Sequence, residues 1–314
     1  MRSPGVMASN GPILVATDFS GHARHAATRA ARLAHETRSA LTLLHVLPGE
    51  PLAPIRQWLG ISNAPEQTMR DAAQRQLRRL ASELASARRV EVNIREAAGS
   101  AANEILRAAE RVDARLLVLG ARGLGFLRRL VLGTTSSRLL RRTDRPLLVV
   151  RQTPRAPYRR VLVAVDFSPR SRTALTLARQ VAPNADLLVM TAFQVPFEHQ
   201  LRFAGVEATL IEVHRQQASA RAHRQMHALA HEAGLSPSHW TPCVVEGDVS
   251  LRIVEQAQSR DCDLVVMGQQ SQSATADLLL GSVTGQVLTE GHADVLVSTW
   301  RRPQLPSLPT HSWE

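Results

Sequence analysis

The sequence predicts an α/β protein built from two tandem, doubly wound domains, each with a five-stranded parallel sheet. Residues 13–20 (ILVATDFS) recur 148 positions later as residues 161–168 (VLVAVDFS), and residues 99–120 recur at the same offset as residues 247–268. Within each copy, short apolar runs alternate with helical stretches, a pattern typical of parallel strands covered by helices on both faces. A chain of 314 residues is also long enough for two domains.

Each copy contains five apolar runs that predict buried strands. In chain order, the first copy supplies ILVAT, ALTLLHV, VEVNI, LLVLG and PLLVV, and the second supplies VLVAV, DLLVMTAF, TPCVV, DLVVMG and DVLVS. Residues 66–88 predict a helix, because apolar residues recur there at helical spacing and indicate one core-facing stripe. The stripe consists of Met69, Ala73, Leu77, Leu80 and Leu84.

The repeat also sets the expected domain boundaries. We expect one domain over residues 11–152 and a second over residues 158–300, separated by a linker that contains two prolines. Residues 301–314 contain three prolines and predict an extended tail.

Composition excludes several functional classes. All 38 basic residues are arginine, which excludes a lysine-dependent phosphate loop and Schiff-base chemistry. No stretch approaches ~20 consecutive apolar residues, so no transmembrane helix is expected. The first residues lack the apolar segment of a secretory signal, and two cysteines cannot form a disulfide framework. Together these observations predict a cytoplasmic protein with no membrane partner.

The net charge of +11 belongs to the first half of the chain. Residues 1–154 contain 24 arginines and 12 acidic residues, whereas residues 155–314 contain 14 and 15. Such a one-sided excess favours a local anionic partner or a charged docking face. Aromatic residues make up only 4% of the chain and no nucleic-acid-binding module is recognisable, so a nucleic-acid partner is not expected.

Candidate binding residues follow the first and fourth strands, where doubly wound sheets bind ligands. Asp18 comes directly after the first strand. The fourth strand leads into glycines spaced Gly-x2-Gly-x9-Gly, at Gly120, Gly123 and Gly133. Glycine allows a backbone to approach a phosphate closely, and Arg122 within this loop supplies a cation for phosphate oxygens.

A helix is predicted directly after the last motif glycine. Its first residues are Thr134, Thr135 and Ser136, so hydroxyl groups and backbone N–H groups would face an anion together at the helix N-terminus. A purely structural interpretation stays open, in which the glycines serve tight turns and Asp18 caps a helix.

Three histidines mark a weaker candidate site. His223, His227 and His231 are spaced four residues apart on one predicted helix. Two of them could ligate a metal ion, but no acidic metalloprotease signature accompanies them. A solvated polar stripe is the simpler interpretation.

The strand ends VATDFS and VAVDFS, together with the block LLVLGARGLGFLRRLVLGTTSSRLLRRTDRPLLVVR, resemble the universal stress protein family in its tandem form. The resemblance implies adenine nucleotide α-hydrolase-like domains that pair through their last strands as an internal pseudo-dimer, and it allows a homodimer of the whole chain. It also implies that the first domain binds ATP with Mg²⁺. Asp18 would then lie near the adenosine or the metal, and Val46 would contact adenine. The phosphates would be held by Gly120, Arg122, Gly123, Gly133, Thr134, Thr135 and Ser136.

The second copy departs from this pattern. Ser271 replaces the second motif glycine, and Gln194 stands at the position of Val46. Asp277 occupies the position of Arg129, which exchanges a positive charge for one that repels phosphate. We therefore expect a degenerate second site, although this copy keeps Asp166, Gly268, Gly281 and Ser282.

The family resemblance implies a stress-response regulatory protein that binds ATP and acts on an unidentified protein partner. Neither a nucleophile triad nor a pair of catalytic carboxylates is recognisable, so no catalytic residue is assigned. Two alternatives stay open, namely a nucleotide-free tandem scaffold and a slow ATPase.

Overall fold

The computed structural model describes residues 11–48, 64–121, 134–195, 198–268 and 282–299. Its strands are β1 (Ile13–Thr17), β2 (Leu41–Pro48), β3 (Val92–Gly99), β4 (Leu116–Gly120), β5 (Leu147–Val150), β6 (Arg160–Ala164), β7 (Asp186–Phe193), β8 (Trp240–Glu246), β9 (Leu264–Gly268) and β10 (Asp294–Ser298). Its helices are α1 (Gly21–Glu36), α2 (Ala64–Arg88), α3 (Ala101–Arg111), α4 (Thr134–Arg142), α5 (Pro169–Val181), α6 (Glu198–Phe203), α7 (Ala208–Glu232), α8 (Val249–Ser259) and α9 (Ser282–Glu290), with one 3₁₀ turn at Pro237–His239. We call β1–β5 with α1–α4 the first repeat, and β6–β10 with α5–α9 the second.

The ten strands form one sheet in the order β3-β2-β1-β4-β5-β10-β9-β6-β7-β8. All neighbouring strands within a repeat are parallel, and the connection from β3 to β4 crosses to the other side of β1. The two halves meet where β5 pairs antiparallel with β10, through Val149 and Val295 among others. The predicted α/β class with a doubly wound parallel sheet in each repeat is therefore confirmed.

Side chains of the central strands alternate between two buried faces. In β4, Leu116 and Val118 pack into one hydrophobic cluster, whereas Leu117 and Leu119 pack into the other. Strands covered on both faces need apolar residues at every position, which explains their continuous apolar sequences. Helices α1, α2, α5 and α7 cover the first face, and helices α3, α4, α8 and α9 cover the second.

Two parts of the first repeat are more exposed than the apolar pattern predicts. Strand β3 lies at the edge of the sheet, and Ile94 is 38% exposed. In α2, Leu77 and Leu84 are buried as expected, but Met69 is 56% exposed. Met69 lies in the first two turns of α2, while the buried part of the stripe begins at Ala73.

The predicted domain boundaries and the predicted tail remain predictions. The boundaries at residues 11–152 and 158–300 stay predictions, and the predicted tail at residues 301–314 lies outside the described residues. Among the helices that the structure describes, none is both long enough and apolar enough to cross a membrane.

Candidate functional site

The candidate site lies where β1 and β4 separate at their carboxyl ends. The pairing of β1 with β4 runs from Ile13–Leu116 to Val15–Val118, whereas its pairing with β2 continues to Thr17. The order of the strands reverses at this point, because the chain continues from β1 to β2 on one side and reaches β4 on the other. Doubly wound sheets bind ligands in the crevice that such a reversal creates.

A strained turn positions Asp18 beside this crevice. Phe19 adopts a left-handed backbone conformation (φ 64°), which is uncommon for a bulky residue and indicates a tightly constrained turn. The backbone N–H of Ser20 donates to Oδ1 of Asp18 (3.0 Å), and that of Phe19 donates to Oγ1 of Thr17 (3.0 Å). Oγ of Ser20 accepts from the N–H of Ala23 (3.2 Å), so the N-cap of α1 is Ser20 and not Asp18.

His45 fixes the same turn from the neighbouring strand. Its ring lies 4.4 Å from the ring of Phe19, and its Nδ1 lies 2.8 Å from the carbonyl oxygen of Thr17. From sequence alone His45 is interpreted as structural or incidental, and its register opposite Thr17, the last residue of β1, is the signal that indicates this contact. The next residue along β2 is the partly buried Val46, which follows His45 as Asp18 follows Thr17.

Gly120 has a packing role that the motif alone does not reveal. A Cβ atom at this position would lie 2.8 Å from the carbonyl oxygen of His22 and 3.0 Å from the backbone nitrogen of Ala23. The absence of a side chain therefore lets the end of β4 approach the first turn of α1. This contact joins the strand at which the glycine motif begins to the helix that follows the Asp18 turn.

The three hydroxyl residues at the start of α4 lie in different environments. Thr134 is exposed and Thr135 is half-buried, whereas Ser136 is only 4% exposed. Oγ of Ser136 donates to the carbonyl oxygen of Gly120 (3.4 Å). Ser136 thus joins α4 to the end of β4. The predicted site residues Arg122, Gly123 and Gly133 lie outside the described residues.

In the second repeat, two side-chain hydroxyl groups bind the carboxylate of Asp166. Phe167 repeats the left-handed turn (φ 60°). The side-chain hydroxyls of Ser168 and Ser171 donate to Oδ1 of Asp166 at 2.6 and 2.7 Å. Burial alone would raise the pKa of Asp166, but the hydrogen bonds from Ser168 and Ser171 outweigh it, and the pKa lies below its ordinary value. The first repeat has Ala23 at the position of Ser171, so one of these donors is missing there.

A cavity of about 110 Å³ lies beside Asp166 at the carboxyl ends of β6 and β9. Arg170 lines it, together with Ser282 and Thr284 from the first turn of α9. Arg170 belongs to α5 and not to the glycine loop, so a comparison of the two loops does not reveal it. The sequence does show this cation, because Arg170 occupies the position of His22 in the first repeat.

The three histidines of the weaker candidate site all lie on α7. No cluster of three histidine, cysteine, aspartate or glutamate side chains with suitable spacing occurs in the described part of the chain. The ring of His227 packs against Trp240 with centroids 5.0 Å apart, and Nδ1 of His223 contacts the carbonyl oxygen of Ser219 (3.0 Å). Within these residues the histidines make packing and backbone contacts.

The fold defines a tandem α/β protein whose two repeats each reverse their strand order beside their first strand. The sequence pattern of the universal stress protein family matches residues 10–151 and again residues 157–298. The chain therefore belongs to the universal stress protein family and contains two copies of its domain in tandem.

Individual relatives agree with this membership. A universal stress protein of Mycolicibacterium smegmatis is 25% identical over 310 residues, which cover 91% of this chain and 96% of the relative. A universal stress protein of Mycobacterium bovis is 30% identical over 207 residues, and this match spans only 62% of this chain and 61% of the relative. The crystal structure of a universal stress protein from Archaeoglobus fulgidus is similar with a TM-score of 0.64 at 17% identity, covering 92% of this chain and 98% of that one. This likeness concerns the fold alone.

Proposed function

We propose that this chain is a cytoplasmic stress-response regulator whose first repeat binds ATP with Mg²⁺. In this proposal the second repeat is a degenerate partner that completes an internal pseudo-dimer, and nucleotide occupancy changes a surface that another protein, or a second copy of the chain, recognises. The observation that carries the proposal is that Asp18 follows β1 where that strand separates from β4, while Gly120 ends β4 and binds the start of α4. Val46 lies on the neighbouring strand β2.

The electrostatics of the crevice between β1 and β4 suit a phosphate group. Helix α4 has nine residues, and its first turn offers backbone N–H groups that have no partner within the helix, the positive end of the helix dipole and the hydroxyls of Thr134 and Thr135. The excess of arginine in the first half of the chain adds a favourable field for an anion. Arg122, although outside the described residues, would supply a direct charge-assisted contact.

Asp18 suits the remaining part of such a ligand. Its ionised carboxylate only accepts hydrogen bonds, so it can bind a ribose hydroxyl or a hydrated Mg²⁺ ion. The hydrogen bond from the N–H of Ser20 and the contacts of Phe19 with His45 keep this carboxylate at the crevice. Mg²⁺ would neutralise phosphate charge, while Asp18 and the backbone around it would orient the ligand.

We propose that the second repeat does not bind ATP. The reasons concern Asp166 and the residues that replace Val46 and Gly123. Hydroxyls from Ser168 and Ser171 already bind the carboxylate of Asp166, which leaves it fewer acceptor sites for a ligand. Gln194 replaces Val46, and Ser271 replaces Gly123. Arg170 opposes this trend because it brings a cation to the neighbouring cavity, so the stoichiometry of binding is the decisive measurement.

The experiment is calorimetric titration of ATP with Mg²⁺ into the wild-type chain and two matched variants. Gly123→Asp introduces a carboxylate into the glycine motif of the first repeat, and Ser271→Asp introduces the same group at the corresponding position of the second. We expect one ATP per chain, lost in Gly123→Asp and retained in Ser271→Asp. Absence of binding to the wild type would indicate a nucleotide-free scaffold. A stoichiometry near two would contradict the proposed degeneracy of the second repeat.

A further inference from the structure

A second cavity, of about 250 Å³, lies in the second repeat and is lined by none of the residues predicted to bind ATP. It lies between α8 and α9, near the amino ends of β9 and β10. Its inner wall is apolar and its rim is polar. The apolar wall comprises Ile253, Ala257, Val265, Val287, Ala293 and Val295, and the rim includes Gln152, Gln258, Asp261, Asp263 and His292.

The first repeat contains larger side chains at the positions that form this cavity. At the 148-residue offset, Val265, Val287 and Val295 correspond to Leu117, Leu139 and Leu147, each of which has one more methylene group and is buried. The largest difference is that Ala293 corresponds to Arg145. The first repeat has a cavity of about 330 Å³ beside Arg145, but none of Leu117, Leu139 and Leu147 lines it. The smaller valines of the second repeat thus let its cavity extend further inward.

In the first repeat, the side chain of Arg145 occupies this position and makes two polar contacts. Its side chain is 12% exposed, and Nη1 donates to Oδ1 of Asp113 at 2.7 Å and to the carbonyl oxygen of Ala114 at 2.5 Å. One guanidinium nitrogen therefore binds a carboxylate and a backbone carbonyl in the turn between α3 and β4. Charge-assisted hydrogen bonds of this kind are among the stronger polar contacts in proteins.

The second repeat keeps this pair of acceptors without the arginine. Asp261 and Cys262 correspond to Asp113 and Ala114, and the turn has the same shape. Asp261 has φ 51° where Asp113 has φ 48°. The N–H of Cys262 donates to the carbonyl oxygen of Ala257 at 2.8 Å, as that of Ala114 does to Ala109 at 2.9 Å.

The charges around the cavity favour a cation. Asp263 stands where the first repeat has Arg115, which replaces a positive group by a carboxylate. Helices α8 and α9 both end at this cavity, so the negative ends of their dipoles lie beside it. Arg160 approaches Asp261 at 3.6 Å, but both side chains are more than half exposed, and such surface pairs are weak.

We propose that this cavity binds a small alkylguanidinium compound, with the guanidinium at the Asp261 carboxylate and the Cys262 carbonyl and the alkyl chain on the valine wall. The ligand would occupy the place that the Arg145 side chain fills in the first repeat. This site is separate from the proposed ATP site, because its lining includes none of the residues predicted to bind ATP.

The test compares n-butylguanidinium with n-butylurea, an uncharged molecule of nearly the same shape, by NMR titration of the full chain. We expect the guanidinium compound to bind at least tenfold more tightly. Equal affinity of the two compounds, or no binding of either, would overturn the proposal.

Two variants locate the binding. Ala293→Arg copies the first repeat and should abolish binding of n-butylguanidinium, while ATP titration of the same variant reports on the other site. Asp261→Asn changes an exposed side chain, and asparagine tolerates left-handed backbone conformations, so this variant keeps its fold. It should weaken binding of the guanidinium compound at least tenfold and leave that of n-butylurea unchanged. Unchanged guanidinium binding in either folded variant would assign the interaction to another surface and refute the proposed site.

Discussion

Arg29 of α1 and Asp294 of β10 form a buried ion pair between the two repeats. Nε of Arg29 lies 3.5 Å from Oδ2 of Asp294, and the two side chains are 3% and 0% exposed. The same carboxylate accepts hydrogen bonds from the hydroxyl of Tyr158 (2.7 Å) and from the backbone N–H groups of Arg151 and Gln152 (2.7 and 2.9 Å). One carboxylate of the second repeat therefore binds a helix of the first repeat and both ends of the linker.

The first prediction concerns removal of this charge. Asp294→Asn keeps the size of the side chain but leaves the Arg29 guanidinium buried without a counter-charge. Breaking a buried ion pair from one side typically costs about 3–5 kcal/mol. We expect the free energy of unfolding, measured by urea denaturation, to fall by that amount.

The exposed pair of Arg79 and Glu83 on α2 provides the control. Their side chains are 80% and 45% exposed at a separation of 2.9 Å. Glu83→Gln should change the free energy of unfolding by less than about 1 kcal/mol, because solvent screens such a pair. If the two substitutions had equal effects, the Arg29–Asp294 pair would not stabilise the junction.

The second prediction uses Tyr158, the only tyrosine of the chain. Burial raises the pKa of Tyr158 well above its ordinary value of 10.0, and the neighbouring Asp294 carboxylate raises it further. The folded state therefore binds this proton more tightly than the unfolded state, whose tyrosine ionises near pH 10. The contribution of Tyr158 to stability is complete below that pH and decreases as the pH rises above it.

Absorbance spectroscopy measures this ionisation directly, because a single phenol gives the tyrosinate signal. We expect no tyrosinate in the native protein up to the pH at which circular dichroism reports unfolding, and an ordinary titration in urea. Tyr158→Phe removes the signal and serves as the baseline. A native titration centred at the ordinary pKa would mean that Tyr158 is accessible to solvent.

The third prediction separates the packing role of Gly120 from general effects of replacing glycine. Gly120→Ala places a methyl group 2.8 Å from the backbone of His22, so the end of β4 must move away from α1. We expect a loss of about 1–3 kcal/mol in the free energy of unfolding. ATP affinity should also fall, because the same contact aligns the two sides of the crevice.

Gly21, in the first turn of α1, is the matched control. A Cβ atom there meets no atom within 4 Å, so Gly21→Ala should change stability by about 0.5 kcal/mol or less. Both variants are compared by urea denaturation and by calorimetric titration of ATP with Mg²⁺. Equal stability of Gly120→Ala and the wild type would show that the β4–α1 contact adapts without cost.

Comparison of β1 with β3 shows which parts of the fold can be predicted from the sequence. The predicted run at residues 13–17 coincides with β1, because a strand buried on both faces has only apolar residues and ends where Asp18 begins a turn. The run predicted at residues 90–94 overlaps only the start of the observed strand, which extends from Val92 to Gly99. Edge strands carry polar residues such as Arg95, so their length is not visible as an apolar run.

The residues and contacts of the candidate site could likewise be predicted only in part from the sequence. The topology explains why Asp18 and Gly120 could be selected from sequence, since Asp18 directly follows β1 and Gly120 ends β4. Val46 was selected through the family resemblance and lies two residues before the end of β2. The contacts of Gly120 with His22 and of Phe19 with His45 depend on how helices and neighbouring strands pack, and no local pattern encodes them. No local sequence pattern encodes the Arg29–Asp294 pair either, because this pair requires the antiparallel register of β5 and β10.

The last prediction concerns the reactivity of Cys262, which lines the cavity between α8 and α9. Burial raises the pKa of this thiol to about 11, and the adjacent Asp263 carboxylate contributes in the same direction. Only the thiolate reacts with disulfide reagents, and a pKa two units above the ordinary 9.0 lowers its population about 100-fold. Burial likewise raises the pKa of Cys243.

In mildly alkaline buffer we therefore expect neither thiol of the native chain to react with a chromogenic disulfide within minutes, whereas two should react at once in urea. Ser82→Cys, which places a thiol at an exposed position on α2, should react rapidly in the native state and calibrate the assay. Rapid reaction of a native wild-type thiol, traced to Cys262 by peptide mass, would mean that the cavity opens to solvent far more than its buried lining indicates.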